Sequence, residues 1–102
     1  MQFEKPNLIG YTIYTKTNCP YCTKVKDLLK NEKVENRIVN CDTYLEDQSI
    51  KEVFLEFIRT INGEIPHRTF PIVFYKGNFI GGFTDTEKFY LKENLFCDNI
   101  DF

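Results

Sequence analysis

Two cysteines separated by two residues, Cys19-Pro20-Tyr21-Cys22, stand where a strand pattern gives way to a helical one. That junction constrains the fold more than any other feature of the chain. Residues 10–16 alternate Tyr11, Ile13 and Thr15 against Thr12 and Tyr14, all strand-favouring types. Pro20 suits a first helical turn, where its missing N–H and fixed φ cost nothing. Behind it, Cys22, Val25, Leu28 and Leu29 share one helical face. A C-x-x-C at such a junction reads as a redox motif in an α/β context.

The rest of the chain continues the alternation. Residues 34–41 predict a second strand around Arg37-Ile38-Val39-Asn40. Residues 46–61 predict a helix, with Ile50, Val53, Phe54, Phe57, Ile58 and Ile61 in an i, i+3, i+4, i+7 pattern that Asn62-Gly63 ends. A loop over 62–69 leads to the apolar strand 71–75, a hairpin turn at Lys76-Gly77-Asn78 and a return strand at Phe79-Ile80. After Gly81-Gly82, residues 85–96 predict a last helix with Phe89, Leu91, Leu95 and Phe96 apolar. The order is β-α-β-α-β-β-α. The first two strands are joined through a helix and are expected to be parallel with a right-handed crossover. The last two form an antiparallel hairpin. The expected result is one domain over residues 1–102, a small mixed sheet with helices packed on it.

Composition supports a single packed domain. The chain has 102 residues, 42% of them hydrophobic, and net charge −2. With ten Phe and six Tyr, it is not a disordered segment. Four cysteines are too few for a disulfide-stapled secreted scaffold. No basic cluster followed by an apolar run opens the sequence, and no apolar run is long enough to span a bilayer. A cytoplasmic location, no membrane and a monomer are therefore expected. The near-neutral total argues against nucleic acid as a partner. The charge is unevenly spread: residues 16–37 carry six Lys/Arg against three Asp/Glu, a local +3, and residues 38–66 carry two against six, a local −4.

The chemistry of the Cys pair follows from its place. Residues three apart on a first helical turn approach the Cα separation that a disulfide accepts. Cys19 falls at the helix N-terminus, where unpaired N–H groups and the macrodipole favour negative charge, so its thiol is expected to ionise more readily than a free one. Lys16 adds a nearby cation. Cys22 lies one turn inside and is less exposed. Cys19 is thus the attacking sulfur and Cys22 the resolving one. The alternative for a C-x-x-C is half of a zinc site, which needs two further ligands. Cys41 and Cys97 stand alone and His67 is the sole histidine, so no metal is expected. Cys41 and Cys97 are read as packing residues.

Thr15-Lys16-Thr17-Asn18-Cys19-Pro20-Tyr21-Cys22 resembles the active-site segment of dithiol glutaredoxins. Thr69-Phe70-Pro71 resembles that family's Thr-Val-Pro segment, and Gly81-Gly82-Phe83-Thr84-Asp85 its Gly-Gly-x-x-Asp segment. The three occur in family order within the matching layout, and the resemblance covers roughly residues 10–96. It implies a thioredoxin-like, glutaredoxin-type α/β fold, a three-layer sandwich on a four-stranded mixed sheet. It also implies reduction of protein disulfides and protein–glutathione mixed disulfides, with glutathione as co-substrate. Protein partners would be disulfide-containing or glutathionylated, with ribonucleotide reductase as one candidate.

The same resemblance implies the site. Pro71 matches the family's cis-proline facing the Cys pair. Lys16 matches the lysine that meets the glycine carboxylate of glutathione, and Arg68, beside Thr69, can join it. The Phe70 backbone matches the position that pairs with the glutathione cysteine. Gly82, Thr84 and Asp85 open the last helix, where N–H groups can take the γ-glutamyl carboxylate and the Asp85 carboxylate its ammonium. Tyr21 walls the site near the sulfur. Phe70 stands where the family carries a small branched residue, and its ring either packs in the core or faces the cleft. The loop over residues 61–68, with His67, is longer than the family's usual connection.

Two other functions compete. Thioredoxin-like redoxins share the fold and draw electrons from a flavoprotein reductase, but thioredoxins usually carry Trp-Cys-Gly-Pro-Cys and this chain has no Trp. Relatives that bind an iron–sulfur cluster with glutathione usually have one active-site cysteine and a small residue in place of Pro20.

Overall fold

The computed structural model describes residues 3–30 and 36–99, with side chains up to residue 93. The strands are β1 (Tyr11–Thr15), β2 (Arg37–Asn40), β3 (Ile72–Tyr75) and β4 (Asn78–Gly81). The helices are α1 (Pro20–Leu29), α2 (Asp42–Leu45), α3 (Gln48–Ile61) and α4 (Phe83–Asn99). The expected order holds with one addition, the single-turn helix α2.

One four-stranded sheet runs in the order β2-β1-β3-β4. β1 and β2 are parallel, with Ile13 opposite Ile38 and Tyr14 opposite Val39. β1–β3 and β3–β4 are antiparallel, and the register shifts at a bulge between Val73 and Phe74. Lys76 (φ 51°) and Gly77 (φ 83°) link β3 to β4. Positive φ at both central residues matches the twist of a two-residue hairpin.

The period of two in the central strands divides their side chains between two cores. Tyr11, Ile13 and Val73 pack with Val25 and Leu29 of α1, joined by Phe83, Phe89 and Tyr90 of α4. Tyr14, Ile72 and Phe74 face the other way, toward Val39, Cys41 and Phe54, Leu55 and Ile58 of α3. The result is a three-layer α/β/α sandwich. Every residue of β1 is buried, as expected for a strand covered on both faces.

Helix α3 starts two residues later than expected because Asp47 caps it. The Asp47 carboxylate accepts from the Ser49 N–H (2.7 Å) and hydroxyl (2.5 Å). Its buried stripe is Phe54, Leu55 and Ile58; Val53, expected on the apolar face, is 57% exposed. At the other end, Asn62 closes the turn by accepting from the Ile65 N–H (3.0 Å) and donating to the Ile65 carbonyl (2.9 Å). Helix α4 begins at Phe83 rather than residue 85, because the Gly82 carbonyl already accepts from the Thr86 N–H (3.0 Å). Residues 34 and 35 of the expected second strand, and the side chains of Leu95, Phe96 and Cys97, lie outside the described residues.

The segment before β1 is also part of the core. The Phe3 ring contacts Tyr44, Phe54 and Phe57 at 4.8–5.3 Å. The Tyr14 hydroxyl donates to the Glu4 carbonyl (2.6 Å), and the Glu4 carboxylate pairs with Arg37 (2.7 Å). Among the described residues, no helix is long and apolar enough to cross a membrane.

Candidate functional site

The end of β1 delivers the chain into a short loop, Lys16-Thr17-Asn18, before α1. Asn18 adopts φ 58°, a left-handed conformation that Asn tolerates better than most residues. Thr17 anchors this loop across the sheet end. Its N–H donates to Asp42 Oδ1 (2.8 Å) and its hydroxyl to Asp42 Oδ2. Those bonds hold the Asp42 carboxyl below the usual carboxylate range.

Cys19 is the N-cap of α1 and Pro20 its first residue. The Cys22 N–H donates to Cys19 Sγ (3.2 Å), and the Thr23 N–H to the Cys19 carbonyl (3.2 Å). Sulfur here takes the place of the oxygen of a Ser or Asp cap, so the helix N-terminus points at Cys19 Sγ. Cys19 and Cys22 are disulfide-bonded, with Cα atoms 5.2 Å apart. Cys19 is 9% exposed and Cys22 1%, so the outer sulfur is the one that a partner can reach.

The loop before β3 comes up against this pair. The Phe70–Pro71 peptide bond is cis, and the Phe70 carbonyl oxygen lies 3.7 Å from Cys19 Sγ. Phe70 does not fill the cleft with its ring. The ring stacks on Phe54 at the edge of the core (6.3 Å, 8°), and Lys16 Nζ lies 5.8 Å from its centroid. Lys16 and Phe70 thus share one side of the dithiol. Thr69 is exposed.

A second pair of rings stands at the start of α1. The Tyr21 ring, 54% exposed, stacks on Phe83 (5.9 Å, 29°), the first residue of α4. Gly82 and the start of α4 therefore stand beside the Cys19–Cys22 turn. Thr84 and Asp85 are the second and third residues of α4 and both are exposed. The Asp85 carboxylate folds back over Gly81, whose φ of +137° and proximity to that carboxylate leave no room for a Cβ. His67 sits between the two segments, its Nε2 3.4 Å from the Pro71 carbonyl and its ring against Phe79 and Gly82.

Arg68 is placed differently from Lys16. Its guanidinium donates to the Glu52 carboxylate on α3 (2.7 Å), so it is already paired. Cys41 lies in the core as a free thiol. Burial, with the Asp42 charge adding, pushes it up to about 12, against a smaller opposing effect of the Thr15 backbone. Among the described residues, no cluster of three or more His, Cys, Asp or Glu could hold a metal ion. Asp42 went unnoticed in the sequence because its role depends on a contact 25 residues away. Lys24, whose ammonium lies over Tyr21, left no signal either.

A sequence model of the glutaredoxin family matches residues 11–80, from the start of β1 into β4. The chain is similar to bovine (Bos taurus) mitochondrial glutaredoxin-2, with 37% identity over 83 residues that make up 81% of this chain and 48% of that one. It spans about half the length of that relative. Its fold is similar to the dithiolic glutaredoxin 2-C-Grx1 of Trypanosoma brucei brucei, with TM-score 0.64, 26% identity and coverage of 85% of this chain and 82% of that one. The buckwheat glutaredoxin–glutathione complex shares the fold at TM-score 0.61 and 23% identity, over 87% of this chain and 74% of that one. A family match over more than half the sequence, taking in both the Cys pair and Pro71, shows that this chain belongs to the glutaredoxin family.

Proposed function

We propose that this protein is a glutathione-dependent thiol–disulfide oxidoreductase that reduces protein disulfides and removes glutathione from protein thiols. The observation that carries the reading is the Cys19–Cys22 pair at the N-cap of α1, with Cys19 Sγ 3.7 Å from the Phe70 carbonyl. Family membership supports glutathione as the co-substrate.

In the monothiol route, the Cys19 thiolate attacks the glutathione sulfur of a protein mixed disulfide. A Cys19–glutathione disulfide forms, and the protein sulfur leaves as a thiolate and takes up a proton. A second glutathione thiolate attacks the bound glutathione sulfur. Oxidised glutathione forms and the Cys19 thiolate returns, so one disulfide is consumed and one made. In the dithiol route, Cys19 attacks a protein disulfide and Cys22 then attacks Cys19 Sγ. This closes the Cys19–Cys22 bond seen in the structure and releases the substrate as a dithiol. Two glutathiones reopen that bond by successive exchanges. The α1 N-terminus stabilises the thiolate at each stage.

Glutathione lies, in this reading, along the cis-proline loop. Lys16 takes the glycine carboxylate, with Arg68 joining after release from Glu52. The backbone of Thr69-Phe70-Pro71 holds the peptide extended, and Tyr21 walls the sulfur. The Gly82 end of α4 takes the γ-glutamyl carboxylate, with Thr84 at the second helical residue and Asp85 on the ammonium. The protein works as a monomer in a reducing compartment, by our reading the cytoplasm. Ribonucleotide reductase is one candidate partner.

Reduction of a glutathione mixed disulfide with two alternative electron donors tests this reading. Turnover is expected with glutathione and its reductase. Turnover only with a flavoprotein thioredoxin reductase would overturn it.

A further inference from the structure

Among the described residues, Lys16, Lys24 and Lys76 lie over aromatic rings, and Lys24 alone of the three lies over two. Arg37, Arg59 and Arg68 each pair with a carboxylate: Arg37 with Glu4, Arg59 with Glu56 and Glu64, and Arg68 with Glu52. None of the lysines among the described residues pairs with a carboxylate, and the two near the Cys pair lie over rings instead. Lys16 Nζ lies over Phe70. Lys24 Nζ lies 5.1 Å from the Tyr21 centroid and 5.8 Å from the Phe83 centroid. The glutathione reading uses Lys16 and leaves Lys24 without a role.

We propose that Lys24, held over the Tyr21–Phe83 pair, docks an acidic polypeptide: it receives an Asp or Glu carboxylate that neighbours the reactive cysteine of the protein substrate. This deepens the proposed exchange reaction and rests on Cys19 as the attacking sulfur. Tyr21 and Lys24 lie one turn apart on α1 and therefore on one face. The two rings, drawn from α1 and α4, fix the position of a side chain that would otherwise be free. They attract the ammonium while leaving its outer hydrogens open to a second, anionic partner. The exposed Tyr21 face supplies apolar contact beside that charge. A carboxylate seated there would lie beside the Tyr21 ring, next to the start of α4.

The test uses two peptides of equal length, each with one cysteine capped as a pyridyl disulfide and flanked by either Glu or Lys. Attack by the reduced protein releases 2-thiopyridone, which is followed by its absorbance. The readout is the ratio of the Glu-peptide to the Lys-peptide rate, so any effect of a substitution on the thiolate itself cancels. At about 0.02 M salt the ratio is expected to exceed about fivefold, and at about 0.5 M to fall toward one. Lys24→Gln and Lys24→Glu should each lower the low-salt ratio at least about threefold, and Lys24→Arg should keep it. A ratio unchanged in both Lys24→Gln and Lys24→Glu, or equal rates for both peptides with the unsubstituted protein, would overturn the proposal. Turnover with glutathione is scored separately. Its absence beside a Lys24-dependent ratio would count against the proposed function and leave the docking site standing.

Discussion

Thr17 gives both its backbone N–H and its hydroxyl to the carboxylate of Asp42, tying the loop that leads to Cys19 to the N-terminus of α2. The Asp42 N–H in turn donates to Asn40 Oδ1 (2.9 Å), and the Cys41 N–H to the Thr15 carbonyl (2.7 Å). The end of β2 therefore braces the end of β1 on both sides of Lys16. Asp42 touches no reacting atom. It acts through Thr17, by holding the approach to Cys19.

Asp42→Asn is expected to lower stability at neutral pH. Hydrogen bonds from Thr17 depress the Asp42 pKa in the folded protein. A depressed carboxyl contributes stability that is fully present above the unfolded value, about 3.9, and is lost as pH falls through the lower folded value. The variant should therefore unfold at lower urea than the parent at pH 7, and the gap should shrink on acidification. A gap that widens toward acid would contradict the assignment.

Arg68 and Glu52 set up a competition. Their pair is about half-exposed on both sides, so it is worth only about 0–1 kcal/mol. Glu52→Gln should free Arg68 and lower the KM for glutathione by about two- to threefold. An unchanged or raised KM would remove Arg68 from the glycine-carboxylate site.

Gly81→Ala is expected to cost about 1–3 kcal/mol, because φ at +137° disfavours a side chain and the new Cβ would strike the Asp85 carboxylate. Gly82→Ala meets only ordinary contacts, 3.6 Å to His67 and 3.7 Å to the Pro71 carbonyl. Its unfolding midpoint should stay near that of the parent. Equal losses for the two variants, in urea or thermal unfolding, would show that the sterics of Gly81 have been misjudged.

Phe54 joins the aromatic cluster, contacting the rings of Phe3, Tyr14, Tyr44, Phe57 and Phe70 while fully buried. Phe54→Ala should cost about 3–5 kcal/mol by equilibrium unfolding. A loss below about 1 kcal/mol would mean that the cluster collapses into the space.

The features legible in the sequence are those with local signals. The alternation in β1, the i, i+3, i+4 pattern of α3, the Lys76-Gly77 turn and the Cys pair each act over a few residues, and each element stands within two residues of where it is expected. The cis bond before Pro71 was legible through resemblance. What stayed hidden depends on distance or on size. Helix α2 has four residues, too few for a period to emerge. Phe3 belongs to no strand or helix pattern in the sequence, and only the fold brings it to Phe54. The pairing of Arg68 with Glu52 spans 16 residues, and Leu55 rather than Val53 is buried because the sheet meets α3 slightly to one side of its most regular stripe.

The division of labour between the two sulfurs is the central claim, and turnover by the single-cysteine variants tests it most directly. Cys19→Ser should be inactive on every disulfide. Cys22→Ser should still remove glutathione from a mixed disulfide in the presence of glutathione and its reductase, while losing dithiol reduction of protein disulfides. A Cys22→Ser variant inactive on both substrates, or a Cys19→Ser variant that still turns over, would contradict the assignment.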